Sequence, residues 1–283
     1  MYDRLLIATD GTPGADRAFE YGLAVAEQFD AAVDALYVVD TDLEGVAERE
    51  VVETLLEADE RTGRKILSEV SEREPGFDVH RDVRKGIPYE EILTYAEERE
   101  ADLVVVGTTG ATTDHLGSTA ERVIAHSHAP VFTVPEGSES PSTLGIIDDI
   151  VVPLDGSDTA DRAAERALEF AEWFDATVHG LYVVDTTVYD LEDAPQSTIG
   201  LLKQGGENTL KAFTQQAESV RVPSTWRVSR GRPTDEILER IDAVGADLVT
   251  MGTRGRGGLP EHLLGSTTRS VVRNAPCPLL SIK

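Results

Sequence analysis

The chain has 283 residues, 52 acidic and 26 basic, with a net charge of −26. Such a surface repels nucleic acid and anionic membranes, and a single cysteine, Cys277, excludes a disulfide framework within the chain. No apolar run approaches the ~20 residues that span a bilayer, and the opening MYDRLLIATDG begins a strand without a signal-peptide core, so the expected setting is the cytoplasm. Two readings of the acid excess stand. One is plain solubility. The other is a cytosol of high salt, where the Debye length falls from ~10 Å at 0.1 M to ~3 Å at 1 M and self-repulsion is screened.

In chain order, Arg4 to Thr9 reads as an apolar strand. Thr12 then caps a helix with Pro13 at its first position, and Phe19, Gly22, Leu23, Ala26 and Phe29 share one face at helical spacing. Ala31 to Val39 is the second predicted strand. A long helix follows, roughly Val46 to Glu74, turning Val52, Leu55, Leu56, Ile66, Leu67 and Val70 inward. Phe77 to Val83 alternates as a half-exposed edge strand would. Pro88 starts a helix to about Glu98, Asp102 to Val106 is the fourth strand, Ser118 to His126 a helix, and Val131 to Val134 the fifth strand.

The pattern is then written again. Asp10-Gly11-Thr12 returns as Asp155-Gly156-Ser157, and Leu36 to Asp40 as Leu181 to Asp185, both 145 residues on. After Gly110 the offset becomes 148, so that Gly117-Ser118-Thr119 returns as Gly265-Ser266-Thr267. Ala164, Ala167, Leu168, Ala171 and Phe174 repeat the first helix's buried face, and a second long helix, about Ile199 to Ser219, carries Leu202, Leu210, Phe213, Ala217 and Val220 inward. Such a period means domain duplication rather than a solenoid. The predicted domains are 1–135 and 149–283, joined by a Ser-, Pro-, Gly- and Glu-rich linker, 136–148. Each half reads βαβαβαβαβ, an α/β domain with a parallel sheet covered on both faces. A sheet order that reverses once leaves a crevice at the strands' carboxyl ends.

The most informative stretch is Gly252 to Ser266, GTRGRGGLPEHLLGS, between the apolar run Asp247 to Met251 and a predicted helix, Thr267 to Asn274. Its glycines permit positive φ and close approach. The helix start offers unpaired N–H groups and a positive dipole end. Ser266 adds a hydroxyl, and Arg254 and Arg256 add charge, which together suit a phosphate chain. The alternative is an ordinary Gly-rich βα turn. The loop is not a P-loop, for no Gly-Lys-Ser/Thr follows. Nor is it the Rossmann fingerprint, for it lies at the end of the βα series.

Gly-x-x-Gly, nine residues, then Gly-Ser resembles the nucleotide-binding signature of the universal stress protein family. The match is unbroken at Gly252, Gly255, Gly265 and Ser266, and the resemblance covers both halves. It implies two tandem, doubly wound, five-stranded parallel sheets of strand order 3-2-1-4-5, the adenine nucleotide alpha hydrolase-like fold. It implies an adenine nucleotide, ATP foremost or AMP or ADP, with Mg²⁺ as counter-ion. Carried over, Asp155 lies at the adenosine, Val183 sets its backbone at the adenine edge, and Met251 lies beneath. Gly252, Arg254, Gly255, Gly265, Ser266 and Thr267 surround the phosphates. Asp155 suits ribose hydroxyls as an acceptor; capping the helix after Gly156 is the other role open to it. Family members pair through the last strand, so Val131 to Val134 and Leu279 to Ile282 are expected to pair within the chain or between chains of a homodimer.

The first half departs from the signature. Gly107-Thr108-Thr109-Gly110 is followed by six residues, ATTDHL, before Gly117-Ser118. Three residues fewer remove up to ~10 Å of contour, and the arginines are gone. Asp10, Val38, Gly107, Gly117 and Ser118 remain, enough for adenosine or AMP, so tighter ATP binding is expected in the second half. His126 and His128, two apart near a helix end, have no ligand set about them, and His115 and His262 read as exposed loop residues; no metal site is expected. Cys277 reads as a buried thiol. No general base or nucleophile is identifiable, so the expected role is nucleotide-dependent interaction in a stress response, without catalysis. The alternatives are a slow ATPase and an interaction protein that binds no nucleotide.

Overall fold

The computed structural model describes residues 2–42, 49–73, 78–109, 116–139, 141, 147–187, 196–256 and 263–283. The chain divides into two compact units, Met1–Ser142 and Thr143–Lys283. The first holds β1 (Arg4–Thr9), α1 (Pro13–Phe29), β2 (Ala32–Asp40), α2 (Arg49–Arg73), β3 (Val79–Gly86), α3 (Pro88–Glu98), β4 (Leu103–Gly107), α4 (Ser118–His126) and β5 (Val131–Val134). The second holds β6 (Asp149–Pro153), α5 (Asp158–Phe174), β7 (Thr177–Asp185), α6 (Gln196–Ser219), β8 (Ser224–Gly231), α7 (Pro233–Val244), β9 (Leu248–Gly252), α8 (Ser266–Asn274) and β10 (Leu279–Ile282).

Within the first unit the strands lie side by side as β3-β2-β1-β4-β5, and within the second as β8-β7-β6-β9-β10. The pairs that set these orders are parallel, with Leu5 opposite Leu103 in one unit and Ile150 opposite Leu248 in the other. In each unit the chain therefore moves outward in one direction from its first strand and then in the other. The crevice between the two directions opens beside the carboxyl ends of β1 and β4, and of β6 and β9.

Local chemistry explains the elements. Thr12 accepts from the N–H of Ala15 at the start of α1, and Ser157 accepts from Ala160 at the start of α5. Asp30 and Asp175 end these helices in the left-handed region, at φ 54° and 55°. Phe19, Gly22, Leu23, Ala26 and Phe29 are all buried on α1. The inner strands β4 and β9 are apolar on both faces because helices cover both: Val104, Val105, Leu248 and Val249 are fully buried.

Periodicity misjudged depth in the long helices. Leu55 is 49% exposed and Val220 is 38% exposed, whereas Leu67, Leu210, Phe213 and Ala217 are buried as expected. A helical repeat gives the phase of the apolar stripe, but not how far the sheet beneath extends along it. Phe174 is half-buried, and Phe170 fills the core position instead. The third strand runs to Gly86, later than the alternation suggested, because its pairing with β2 continues to Asp40 opposite Gly86. The side chain of Val70, and residues Val46, Glu74 and Phe77, lie outside the described residues.

The first unit buries a charge within β2. Asp34 is fully buried and accepts from Arg4 at 2.8 Å and from Arg99 at 3.0 Å, the pairing a buried carboxylate requires. The second unit reverses the polarity: Asp149 replaces Arg4 and His179 replaces Asp34 in the repeat, and the two side chains are hydrogen-bonded. Among the described residues no helix is long and apolar enough to cross a membrane.

Candidate functional site

A cavity of about 530 Å³ opens at the carboxyl ends of β6, β7 and β9, within the size range of small-ligand sites. All nine residues picked from the second half line it: Asp155 after β6, Val183 on β7, Met251 and Gly252 at the end of β9, Arg254 and Gly255 beyond it, and Gly265, Ser266 and Thr267 at the start of α8. Pro153, Leu181, Tyr182, Leu202 and Ile237 supply an apolar wall that the loop spacing alone did not point to. The readable signal for Tyr182 was its place in the repeated Leu-Tyr-Val-Val-Asp. Residues 257–262, with His262, lie outside the described residues.

The start of α8 is open. Its cap is Gly265, which has no side chain to accept the first-turn N–H groups, and no acidic residue lies in that first turn. By contrast, α5 is capped by Ser157 and carries Asp158 and Asp161 in its first turn. In a chain of net charge −26, α8 presents a positive dipole end that no carboxylate of its own first turn offsets. Gly265 itself is committed, its N–H donating to the carbonyl of Thr253 at 2.9 Å. The first intrahelical bond runs from Arg269 to Gly265, so the N–H groups of Ser266, Thr267 and Thr268 have no acceptor within the helix, and all three residues line the cavity. Nε of Arg254 is buried with no hydrogen-bond acceptor among the described residues, a donor that calls for one.

Asp155 lines the cavity, and the cap of α5 is Ser157 rather than Asp155. Oδ1 accepts from the N–H of Ser157 at 3.0 Å and from its hydroxyl at 2.6 Å, holding the cap residue of α5. Oδ2 accepts from the N–H of Arg256 at 3.1 Å, latching the glycine loop to the end of β6. Arg256 turns its guanidinium over Gly156, where a Cβ would run into Nη2.

Val183 is placed by register. The N–H of Thr177 donates to Asp148 and the carbonyl of Leu181 accepts from Leu154, so the odd-numbered residues of β7 face β6. The ladder between these strands ends at Pro153 opposite Leu181. Two residues on, Val183 turns its N–H and C=O past the end of β6 and into the cavity, an adjacent donor and acceptor.

The first unit has the same frame with different chemistry. Asp10 accepts from the N–H and hydroxyl of Thr12, as Asp155 does from Ser157. The N–H of Gly117 donates to Thr108 as that of Gly265 does to Thr253. Gly107 ends β4, Ser118 begins α4, and Val38 lies on β2 one residue past the last pairing with β1. At the position of Arg254 stands Thr109, whose hydroxyl donates to Oε2 of Glu136 at 3.2 Å, and α4 has Glu121 in its first turn. Gly110 and residues 111–115, with His115, lie outside the described residues.

The remaining titratable candidates stand apart. Nδ1 of His126 lies 2.8 Å from the carbonyl of Arg122, and His128 is exposed, 3.9 Å from Glu97. Burial pushes the thiol of Cys277 up to about 12, so it stays protonated at neutral pH. Among the described residues no group of three or more His, Cys, Asp or Glu could hold a metal ion.

Comparison with known proteins agrees with the duplicated frame. The profile of the universal stress protein family matches residues 1–135 and again 147–283. A universal stress protein of Methanocaldococcus jannaschii is 39% identical over 137 residues, covering 47% of this chain and 81% of that one. Another, from Mycolicibacterium smegmatis, is 24% identical over 298 residues, covering 99% of this chain and 96% of that protein. The crystal structure of a universal stress protein from Archaeoglobus fulgidus superposes with a TM-score of 0.75 at 22% identity, covering 99% and 96% of the two chains, a likeness of fold. With both halves matched, the chain belongs to the universal stress protein family, as two of its domains in tandem.

Proposed function

We propose that the second unit binds an adenine nucleotide, ATP foremost, and that the chain acts in the cytoplasm as a nucleotide-dependent interaction module of a stress response rather than as an enzyme. The observation that carries this reading is the meeting at one cavity of an uncapped helix start, the side chain of Arg254, whose Nε has no acceptor among the described residues, and the backbone donor–acceptor pair of Val183. The first two suit phosphate oxygens. The third suits the edge of adenine, which offers an acceptor beside an amino group, and the apolar wall suits its faces. Mg²⁺ would ride on the phosphates, because the carboxylate of Asp155 is already engaged by protein donors. The same engagement argues against Asp155 as a general base.

The first unit is the weaker site in this reading, with Thr109 and Glu136 where the second has Arg254. The fifth strand of each domain is the proposed pairing edge, within the chain or in a homodimer. The acid excess is read as adaptation to a cytosol of high salt. Titration calorimetry of the full chain with ATP, AMP and GTP tests the ligand, and phosphate release over hours tests turnover. Saturable ATP binding that Arg254→Ala weakens at least about tenfold, with no phosphate release, is the expected result. No heat with any nucleotide, or ATP turnover, would contradict it.

A further inference from the structure

Two threonines engage carbonyls of the glycine loop in the second unit. The hydroxyl of Thr268, on the first turn of α8, donates to the carbonyl of Gly252 at 2.8 Å in a buried bond. The hydroxyl of Thr159, on the first turn of α5, donates to the carbonyl of Arg254. A carbonyl oxygen carries partial negative charge, and one turned inward would oppose an anion.

The planarity of the peptide makes each bond act twice. The C=O of one residue and the N–H of the next point in opposite directions. With its oxygen on Thr268, the peptide after Gly252 points its N–H at Ile282, to which Thr253 donates at 2.8 Å, so the base of the loop is held at both ends. With its oxygen on Thr159, the peptide after Arg254 turns the N–H of Gly255 away from α5. Gly255 lines the cavity, and the next N–H, of Arg256, is latched to Asp155.

The first unit has neither hydroxyl. By the repeat, Gly14 stands for Thr159 and Ala120 for Thr268. There the loop sits directly on α1: a Cβ on Gly107 would lie 2.9 Å from backbone atoms of Gly14, and one on Gly14 would lie 2.8 Å from the hydroxyl of Thr109. The threonine clasp is therefore a feature of the unit that has the arginine loop.

We propose that Thr159 and Thr268 are positioning residues for phosphate. Thr159 turns the peptide after Arg254 so that the N–H of Gly255, and not the carbonyl of Arg254, meets the anion, and Thr268 ties the carbonyl of Gly252 to α8 and so fixes the base of the loop. This rests on the nucleotide reading of the same cavity and deepens it. Valine keeps the shape of threonine without the hydroxyl, and serine keeps the hydroxyl.

The test is titration calorimetry of the full chain with ATP, adenosine and inorganic tripolyphosphate, for the wild type and for Thr159→Val, Thr268→Val, Thr159→Ser and Thr268→Ser. In each valine variant the ratio of ATP to adenosine affinity is expected to fall about tenfold, with the serine variants close to wild type. Should Thr268→Val fail to fold, Thr159→Val, whose bond is only partly buried, decides alone. A wild-type ratio in the valine variants, or serine variants as weak as valine, would overturn the clasp and leave the nucleotide site standing. A wild type that binds tripolyphosphate but not ATP would overturn the adenine reading alone, the clasp then being judged on tripolyphosphate. A wild type that binds neither would overturn both.

Discussion

Gly255 passes so close to Asp155 that a Cβ on the glycine would lie 2.6 Å from Oδ2. That oxygen accepts from the N–H of Arg256. The glycine at this step of the signature is therefore demanded by a carboxylate on the neighbouring strand end as well as by the ligand it would serve. Gly255→Ala is expected to push the loop off Asp155 and lower ATP affinity about tenfold with little loss of thermal stability. Affinity equal to wild type, measured by calorimetry, would show that the latch does not place the loop.

Two glycines at positive φ separate conformational strain from crowding. Gly245, at φ 64°, has nothing within 4 Å of an added Cβ, so Gly245→Ala should cost only about 1 kcal/mol. Gly156, at φ 74°, lies under Nη2 of Arg256. Gly156→Ala should cost more, about 2 kcal/mol, because the guanidinium must also move. Urea unfolding measures both; equal losses would mean that Arg256 moves aside freely.

Glu60, on α2, lies between Arg64 and Lys85, and its hydrogen bonds to them hold its carboxyl at about 2, below the ordinary 4.5. A carboxyl lowered on folding stabilises above its unfolded value, and that stabilisation is lost as the pH falls through the folded one. Glu60→Gln should therefore lower the melting temperature at pH 6 and leave it unchanged near pH 2. A deficit that persists at pH 2 would mean that the residue acts through packing. Because the group is exposed, the effect should be small and weakened by salt.

Much of the architecture was legible because local signals agreed. Thr12 with Pro13, the run of small and aromatic residues on α1, and the repeat from Asp10 to Asp155 placed the elements and the duplication within a few residues. The loop signature was legible because its glycines serve backbone geometry, which spacing records. What escaped depends on approach in three dimensions. Nothing beside Asp34 in the sequence announced Arg99, 65 residues on. Asp155 read as a ribose acceptor, with helix capping as the alternative, and nothing in the sequence pointed to its partner Arg256, 101 residues on. The threonine clasp had a trace in the sequence, hydroxyls at 159 and 268 where the first half has Gly14 and Ala120. That trace has meaning only once α5 and α8 are seen to bring those hydroxyls to the loop.

The acid excess gives a prediction of its own. With 52 acidic and 26 basic residues, self-repulsion in dilute buffer should destabilise both units, and molar salt should relieve it. The melting temperature is expected to rise steadily from 0.1 M to 2 M potassium chloride. A flat profile would leave solubility as the whole explanation of the composition.

In the proposed function, one cavity, in the second unit, takes a nucleotide by its phosphates. Native mass spectrometry of the full chain in the presence of ATP counts bound ligands and compares wild type with Arg254→Ala. One tightly held nucleotide per chain is expected, lost or greatly reduced in the variant. An absence of any adduct, or a nucleotide held equally well without Arg254, would contradict it.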